Sequence, residues 1–283
     1  MIRCITFVLA ALFAAGVQAQ ALDGRLKKIA QTKTIAIAYR ADAMPFSFSE
    51  NNQVDGFSID LCKRVANSIE RALNIKGLQI KWVPVTTQSR FEAVMKGSAD
   101  MECGSSTITL ARMRQVDFSS IIFVETTGLL VKADSGVRSF DNLGGKKIAV
   151  IAGTTNESAI QAQLKRRLLS ATVVPFKSRD EAFAALQEGK ADAFASDRLL
   201  LVGSVARAKD QKDLVLLPDE LSFEPYGIVL PRGDTTLRLA VNTGLAQLYS
   251  SGQVLEIFRR WFEAFGQIPP IIQAAYILGS FPE

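Results

Sequence analysis

The sequence predicts an α/β fold of two similar lobes, each a mainly parallel sheet flanked by helices. Three observations carry the prediction. The fragment Phe91-Glu92-Ala93-Val94-Met95-Lys96-Gly97-Ser98-Ala99-Asp100 returns 92 positions later as Phe183-Ala184-Ala185-Leu186-Gln187-Glu188-Gly189-Lys190-Ala191-Asp192. At that offset Phe91, Gly97, Ala99, Asp100 and Ser105 fall on Phe183, Gly189, Ala191, Asp192 and Asp197. Each copy reads as a helix, a glycine stop, a short apolar strand and a polar strand end. Strand-like and helical patterns alternate around both copies, as in parallel sheets built from βαβ units. Solenoid repeats have periods of ~20–50 residues, so this longer offset marks two lobes and not an array.

Taken in order, the chain opens on Arg3 and an apolar run from Phe7 to Val17, then small residues at Val17-Gln18-Ala19 and Ala19-Gln20-Ala21. This is the pattern of a signal peptide over residues 1–19, with 21 as the other cleavage point. The run is shorter than the ~20 apolar residues of a spanning helix. Cys4 lies too early to become a lipidated mature terminus, so an exported, untethered product is expected.

Thr34 to Tyr39 is a strand that ends at Arg40. Phe57 to Leu73 carries helical spacing through Leu61, Val65, Ile69 and Leu73. Leu78 to Val83 alternates as a strand, Gln88 to Lys96 is a helix stopped by Gly97, and Ala99 to Cys103 is the next strand. The second lobe repeats the order with strand Lys147–Ile151, helix Thr155–Leu168, strand Thr172–Phe176, helix Arg179–Gln187 and strand Ala191–Ala195. Asp197 opens one more helix. Extended runs at Ile121–Thr127 and Leu221–Leu230 lie between the lobes, and amphipathic helices over Asp234–Tyr249 and Gln253–Phe265 follow. Lobe 1 is thereby placed at residues 22–123 plus 227–283, lobe 2 at 124–226, and a hinge near 121–127 and 221–227. Two crossing strands allow closure around a ligand.

Composition excludes several function classes. The formal net charge is +5, or +4 without Arg3, and the one tight basic cluster is Lys165-Arg166-Arg167. No aromatic residues interleave with it, so nucleic acid is not an expected partner. Histidine is absent from the chain. That removes the commonest general base and the commonest metal ligand. No metal, cofactor or catalytic residue is expected. Gly144-Gly145-Lys146-Lys147 lacks the remaining features of a phosphate loop. Cys62 and Cys103 either pair in an oxidising compartment or stay buried as free thiols.

The predicted strand ends carry the chemistry. Arg40 follows the first strand, and Thr86-Thr87-Gln88-Ser89-Arg90 follows Val83. Ser105-Ser106-Thr107 follows Cys103, with Arg112 five residues beyond. Gly153-Thr154-Thr155 follows Ile151, and Asp197 follows Ala195-Ser196. Open α/β sheets bind ligands at the carboxyl ends of their strands. Arginine grips a carboxylate through parallel charge-assisted hydrogen bonds, hydroxyls add donors, and Asp197 can accept from an ammonium group. Three arginines and one acid match a dicarboxylic amino acid. Taken singly, each hydroxyl is a helix cap before it is a ligand group, and Thr154 to Glu157 is a capping box. Arg112 alternatively pairs with Asp117. Arg40 has no evident partner. Phe46 and Tyr39 divide evenly between packing and ligand contact.

At these residues the chain resembles the periplasmic solute-binding proteins of polar amino acid ABC transporters, the bacterial extracellular solute-binding proteins of family 3. The resemblance rests on Pro45-Phe46-Ser47-Phe48, Gly56 to Leu61, Ser105 to Arg112 with Val116-Asp117-Phe118-Ser119, Gly144 to Thr155, Gly189 to Ala193, Tyr226-Gly227-Ile228 and Trp261-Phe262. Ser58 stands where the family usually has an acid. Arg40, Thr86 to Arg90 and Glu102 to Ser105 narrow the resemblance to the glutamate/aspartate-binding group. It implies the type II two-lobed fold and a monomeric periplasmic protein without enzymatic activity. Such a protein would deliver L-glutamate or L-aspartate to an inner-membrane ABC permease. Carried over residue by residue, Ser105, Thr107, Arg112 and Thr154 would hold the α-carboxylate and Asp197 the α-ammonium. Arg40, Thr87 and Arg90 would hold the side-chain carboxylate. Thr155, and with less support Phe46, Ser106 and Arg179, complete the candidate set. Where the group tends to place a histidine near the second-lobe helix start, this chain has Ser178-Arg179. The rivals are a same-fold arogenate or prephenate dehydratase, with Glu102 as its acid, and a sensory binding protein.

Overall fold

The computed structural model describes residues 23–282. The expected signal peptide and both of its cleavage positions lie outside the described residues. Along the chain, α1 (Gly24–Thr32) leads into β1 (Thr34–Arg40), and a small antiparallel sheet of β2 (Asp42–Ala43), β3 (Ser47–Glu50) and β4 (Gln53–Asp55) follows. Then come α2 (Phe57–Ala72), β5 (Gln79–Val85), α3 (Arg90–Met95), β6 (Met101–Glu102), β7 (Val116–Phe118) and β8 (Phe123–Glu125). The middle of the chain forms β9 (Thr127–Lys132), β10 (Lys147–Ile151), α4 (Thr155–Arg167), β11 (Thr172–Phe176), α5 (Arg179–Gln187), β12 (Ala193–Asp197), α6 (Arg198–Ala206) and β13 (Leu214–Leu216). It returns through β14 (Glu224–Tyr226) and β15 (Val229–Pro231) to α7 (Thr235–Ser250), α8 (Gln253–Phe262) and α9 (Pro270–Gly279).

Two five-stranded sheets result, ordered β5-β1-β6-β15-β7 and β11-β10-β12-β9-β13. In each, the first three strands of that order run parallel and the last two join antiparallel. Alternation along a strand sends successive side chains to opposite faces. Thus Ile35 and Ile37 of β1 enter the core shared with α2, α7 and α8, while Ala38 packs with Val94 and Phe118 on the other face. Ile148 and Val150 of β10 likewise pack with Ile160 and Leu164, and Ala149 and Ile151 with Ala182 and Leu186. Both sheets are therefore covered on both faces.

The repeated fragment forms the same motif twice. Asp100 donates its backbone N–H to Ala36 O at 2.7 Å and accepts from Ala36 N at 2.8 Å. Asp192 makes the same exchange with Lys147, at 2.8 Å each way. The repeated aspartate thus fastens the third strand of the unit to the first; it serves the fold.

The chain passes between the sheets at β8 and β14, which pair antiparallel from Glu224 opposite Glu125 to Tyr226 opposite Phe123. Cys62 and Cys103 form a disulfide with a Cα–Cα distance of 6.4 Å, which settles the alternative left by the sequence. It ties α2 to the segment after β6. Phe46 takes the packing alternative and is a correction to its place among the ligand candidates. It is fully buried, with its ring edge-on to Phe57, Phe123 and Tyr226, so apolar burial decides its position. Tyr39 packs edge-on to Trp82. No helix among the described residues is long and apolar enough to cross a membrane.

Candidate functional site

The carboxyl ends of the parallel strands in both sheets converge on one cleft. Arg40 ends β1, Thr87 and Arg90 follow β5, and Glu102 ends β6. From the other lobe, Thr154 and Thr155 follow β10, Arg179 follows β11 and Asp197 ends β12. Contacts join the two edges. Gln88 Nε2 donates to Lys177 O at 3.1 Å and to Ala152 O at 3.4 Å. The Thr107 and Thr155 hydroxyl oxygens lie 3.2 Å apart.

Four guanidiniums meet here with few acceptors. Arg90, at the first turn of α3, is 3% exposed, and its side chain makes no hydrogen bond within the described residues. Burial, then Arg40 and Arg112, lower its pKa to about 9, which Glu102 and Asp197 only partly oppose. Arg112 donates through Nη1 to Thr107 O at 2.8 Å. Burial lowers it too, against the opposing charges of Glu224, Asp197 and Glu102. The alternative pairing with Asp117 is not made: Asp117 Oδ2 instead accepts from Gly233 N at 3.0 Å.

Arg40 is corrected on one point: it does have a partner. Its Nε donates to Asp42 Oδ1 at 2.9 Å, and Nη2 lies 2.7 Å from the same oxygen. Nη2 has no aligned hydrogen bond of its own, so the charge contact is made without a second well-directed bond. Burial works to raise the Asp42 carboxyl, yet the Arg40 and Arg179 charges and the Arg40 bond together hold it below its usual value. Arg179 donates Nη1 to Ser196 Oγ at 3.0 Å and leaves a buried Nε unbonded. Burial lowers its pKa, with Asp42 the main opposing charge.

The hydroxyls divide into two groups. Thr87 and Ser105 are buried, and neither side chain bonds to a described residue. The others are occupied. Thr154 caps α4, donating to Ile151 O at 2.7 Å and accepting from Glu157 N at 3.2 Å. Ser106 Oγ donates to Glu102 Oε2 at 2.8 Å. Thr107 and Thr155 donate to one oxygen of Glu224, at 2.7 and 2.6 Å. The donor roles expected of Thr107, Thr154, Thr155 and Ser106 toward a ligand are therefore revised, because each hydroxyl has a single proton and the protein holds it.

Asp197 accepts from Asn156 Nδ2 at 3.1 Å. Burial and the neighbouring Glu224 push its pKa up to about 6. Tyr226 Oη lies close enough to couple to Asp197, but it makes no hydrogen bond of good geometry. Glu102 is fully buried, and burial raises its pKa. A Cβ on Gly104 would stand 2.2 Å from Glu102 Oε1, so only glycine lets that carboxyl tuck under the loop. Among the described residues, no group of three His, Cys, Asp or Glu could hold a metal ion.

Sequence reasoning missed Asp42, Glu224, Asn156 and Gln88. The spacing Arg40-x-Asp42 was available as a signal for the first. Glu224 stood in a run read only as extended chain.

Residues 35–264 match the bacterial extracellular solute-binding proteins, family 3. An L-glutamate/L-aspartate-binding protein of Pseudomonas aeruginosa is 37% identical over 94% of this chain and 88% of its own length. A glutamate/aspartate import solute-binding protein of Escherichia coli is 33% identical over 89% and 83%. A solved ancestral amino acid-binding protein, described as a precursor of cyclohexadienyl dehydratase, superposes with a TM-score of 0.72. It is 30% identical, covering 85% of this chain and all of that one.

Proposed function

The chain belongs to the bacterial extracellular solute-binding proteins of family 3, and from that premise we propose that it captures L-glutamate or L-aspartate in the interlobe cleft for an ABC importer. One observation carries the reading: the buried guanidinium of Arg90, flanked by Arg40 and Arg112, has no hydrogen-bond acceptor among the described residues. A buried charge needs a partner to offset its desolvation. An acidic side chain supplies one through paired charge-assisted bonds. Arg179 adds a further donor at that end, and Arg112 with Asp197 receives the amino-acid end. The names of the relatives support the same ligand class.

In this reading the lobes comprise residues 22–123 plus 227–283 and residues 124–226. The strands β8 and β14 act as the hinge. The protein is a periplasmic monomer whose signal peptide is removed, and its partner is an inner-membrane permease. The charge of Glu102 favours the guanidinium form of Arg90. Gly104 and Ser106 enclose Glu102, so it is poorly placed as the general acid of a dehydratase.

A thermal-shift screen of ligand-stripped protein against the common amino acids and small dicarboxylates tests this. A ligand held at 100 times its Kd stabilises the folded state by about 2.7 kcal/mol. Glutamate or aspartate should raise the Tm, and glutamine, asparagine and lysine should do little. Equal shifts with glutamine and glutamate would refute the acidic-ligand reading. Consumption of prephenate would favour the enzyme.

A further inference from the structure

Glu224 lies in β14, is 2% exposed, and takes the protons of hydroxyls from both lobes. Thr107 Oγ1 and Thr155 Oγ1 donate to its Oε2 at 2.7 and 2.6 Å, and Ser222 Oγ lies 2.7 Å from its Oε1. A hydroxyl whose proton is fixed in this way turns its lone pairs outward and can only accept. Asp197, a second buried carboxylate at this end, feels the charge of Glu224, and the buried Glu125, which accepts from Thr126 N and Leu199 N, is pushed up to about 8 by burial and by Asp197. This end of the cleft thus holds the carboxylates of Glu224 and Asp197, the Glu125 carboxyl beside them and two accepting hydroxyls, against the guanidiniums of Arg112 and Arg179.

We infer that Glu224 is a positioning residue that sets a requirement for an ammonium group on the ligand. It orients Thr107 and Thr155 as acceptors, and it adds a second negative charge beside Asp197. A dicarboxylate without an α-amino group leaves those acceptors and charges facing each other with no cation between them. Discrimination of this kind is strong where a buried polar site is left unpaired. The inference rests on the acidic amino acid reading above and goes beyond it, since it says why plain dicarboxylates are rejected.

The test is isothermal titration of ligand-stripped protein with L-glutamate and with glutarate, its des-amino counterpart, before and after Glu224→Gln. The unaltered protein should bind glutamate far more tightly than glutarate. Hydrogen bonds to charged groups are worth about 1.5–3 kcal/mol, so Glu224→Gln should weaken glutamate by about tenfold to a hundredfold. Glutarate should hold its affinity or gain, so the ratio between the two ligands collapses. Equal losses for both would make Glu224 merely structural and overturn the inference, as would an unchanged ratio. Unaltered protein that binds the two ligands alike would also overturn it while leaving the acidic-ligand reading standing. Protein that binds neither would overturn that reading, and the inference with it. Should Glu224→Gln fail to fold, Thr155→Val removes one of the two oriented hydroxyls and must shift the ratio the same way.

Discussion

Two arginines open corresponding helices in the two lobes, and their surroundings differ. Ser89-Arg90 begins α3 and Ser178-Arg179 begins α5. A cation at a helix N-terminus opposes the helix dipole by about 0.3–1 kcal/mol, so both placements run against local preference. Both side chains are 3% exposed. Arg179, however, donates to Ser196 and sits in the field of Asp42. Arg90 has no such bond, and its nearest influences include two more guanidiniums. Lobe 2 has largely balanced its arginine within the protein. Lobe 1 leaves Arg90 without a balancing bond, and in the proposed reading the ligand supplies it.

Replacing each arginine by methionine sharpens this contrast. Truncating one partner of a buried charge pair costs about 2–5 kcal/mol, so Arg90→Met should weaken glutamate by about 30-fold or more in titration calorimetry. The ligand-free protein should gain stability at the same time. An uncompensated buried charge gives way to apolar packing worth about 1–4 kcal/mol, or roughly 2–10 °C in Tm. Arg179→Met should cost about tenfold in affinity, with no gain in Tm, because it strips partners from Ser196 and Asp42. Reversed rankings would break the comparison.

A pH titration tests the acidic end. The folded-state pKa of Asp197 is raised from 3.8 to about 6. In ligand-free protein its contribution to stability is therefore fully present below about pH 4 and is lost as pH rises through 6. An ammonium group favours the carboxylate, so binding expels that proton. Glutamate affinity should accordingly fall by up to about tenfold per pH unit below 6, while the ligand-free Tm responds in the opposite sense. A Kd that stays flat from pH 7 to 5 would remove Asp197 from the ammonium end.

The two-lobe plan was legible because both lobes use the same unit of helix, glycine stop and aspartate before a strand, and its residues recur at one offset, although Asp100 and Asp192 themselves bond across 64 and 45 positions. Bounds such as Lys147–Ile151 and Thr172–Phe176 follow from short runs rich in apolar and β-branched residues. The helix at Pro270–Gly279 was not read, because Pro269-Pro270 looks like a break; yet proline fits a first helical turn, whose N–H groups need no intrahelical partner. The arginines and Asp197 could be listed from the strand ends. Most of their partners could not. Asp42 was within reach through the spacing Arg40-x-Asp42, but Glu224 reaches Thr107 and Thr155 across 117 and 69 positions of sequence. Such pairings are set by the tertiary arrangement, which leaves no periodic trace.

The smallest expected effect is the most discriminating, because it separates ligand contacts from contacts between lobes. Gln88 is exposed and holds the far lobe through two carbonyl oxygens, Lys177 O and Ala152 O, without using any guanidinium or carboxylate of the cleft. Solvent competes for such bonds, so their net worth lies near the low end of about 0.5–1.5 kcal/mol. A contact made only in the closed form enters the affinity through the closed population. Gln88→Ala should therefore raise Kd about two- to fivefold, mostly through faster dissociation. Gln88→Glu should do more, since a carboxylate would face two carbonyl oxygens with no proton to offer. Both variants should change glutamate and aspartate by the same factor, because closure does not depend on side-chain length. A substitution at Arg90 or Arg179 should change them by different factors. If Gln88→Ala instead alters the glutamate-to-aspartate ratio, Gln88 belongs to the ligand site, and the division between balancing residues and closing residues fails.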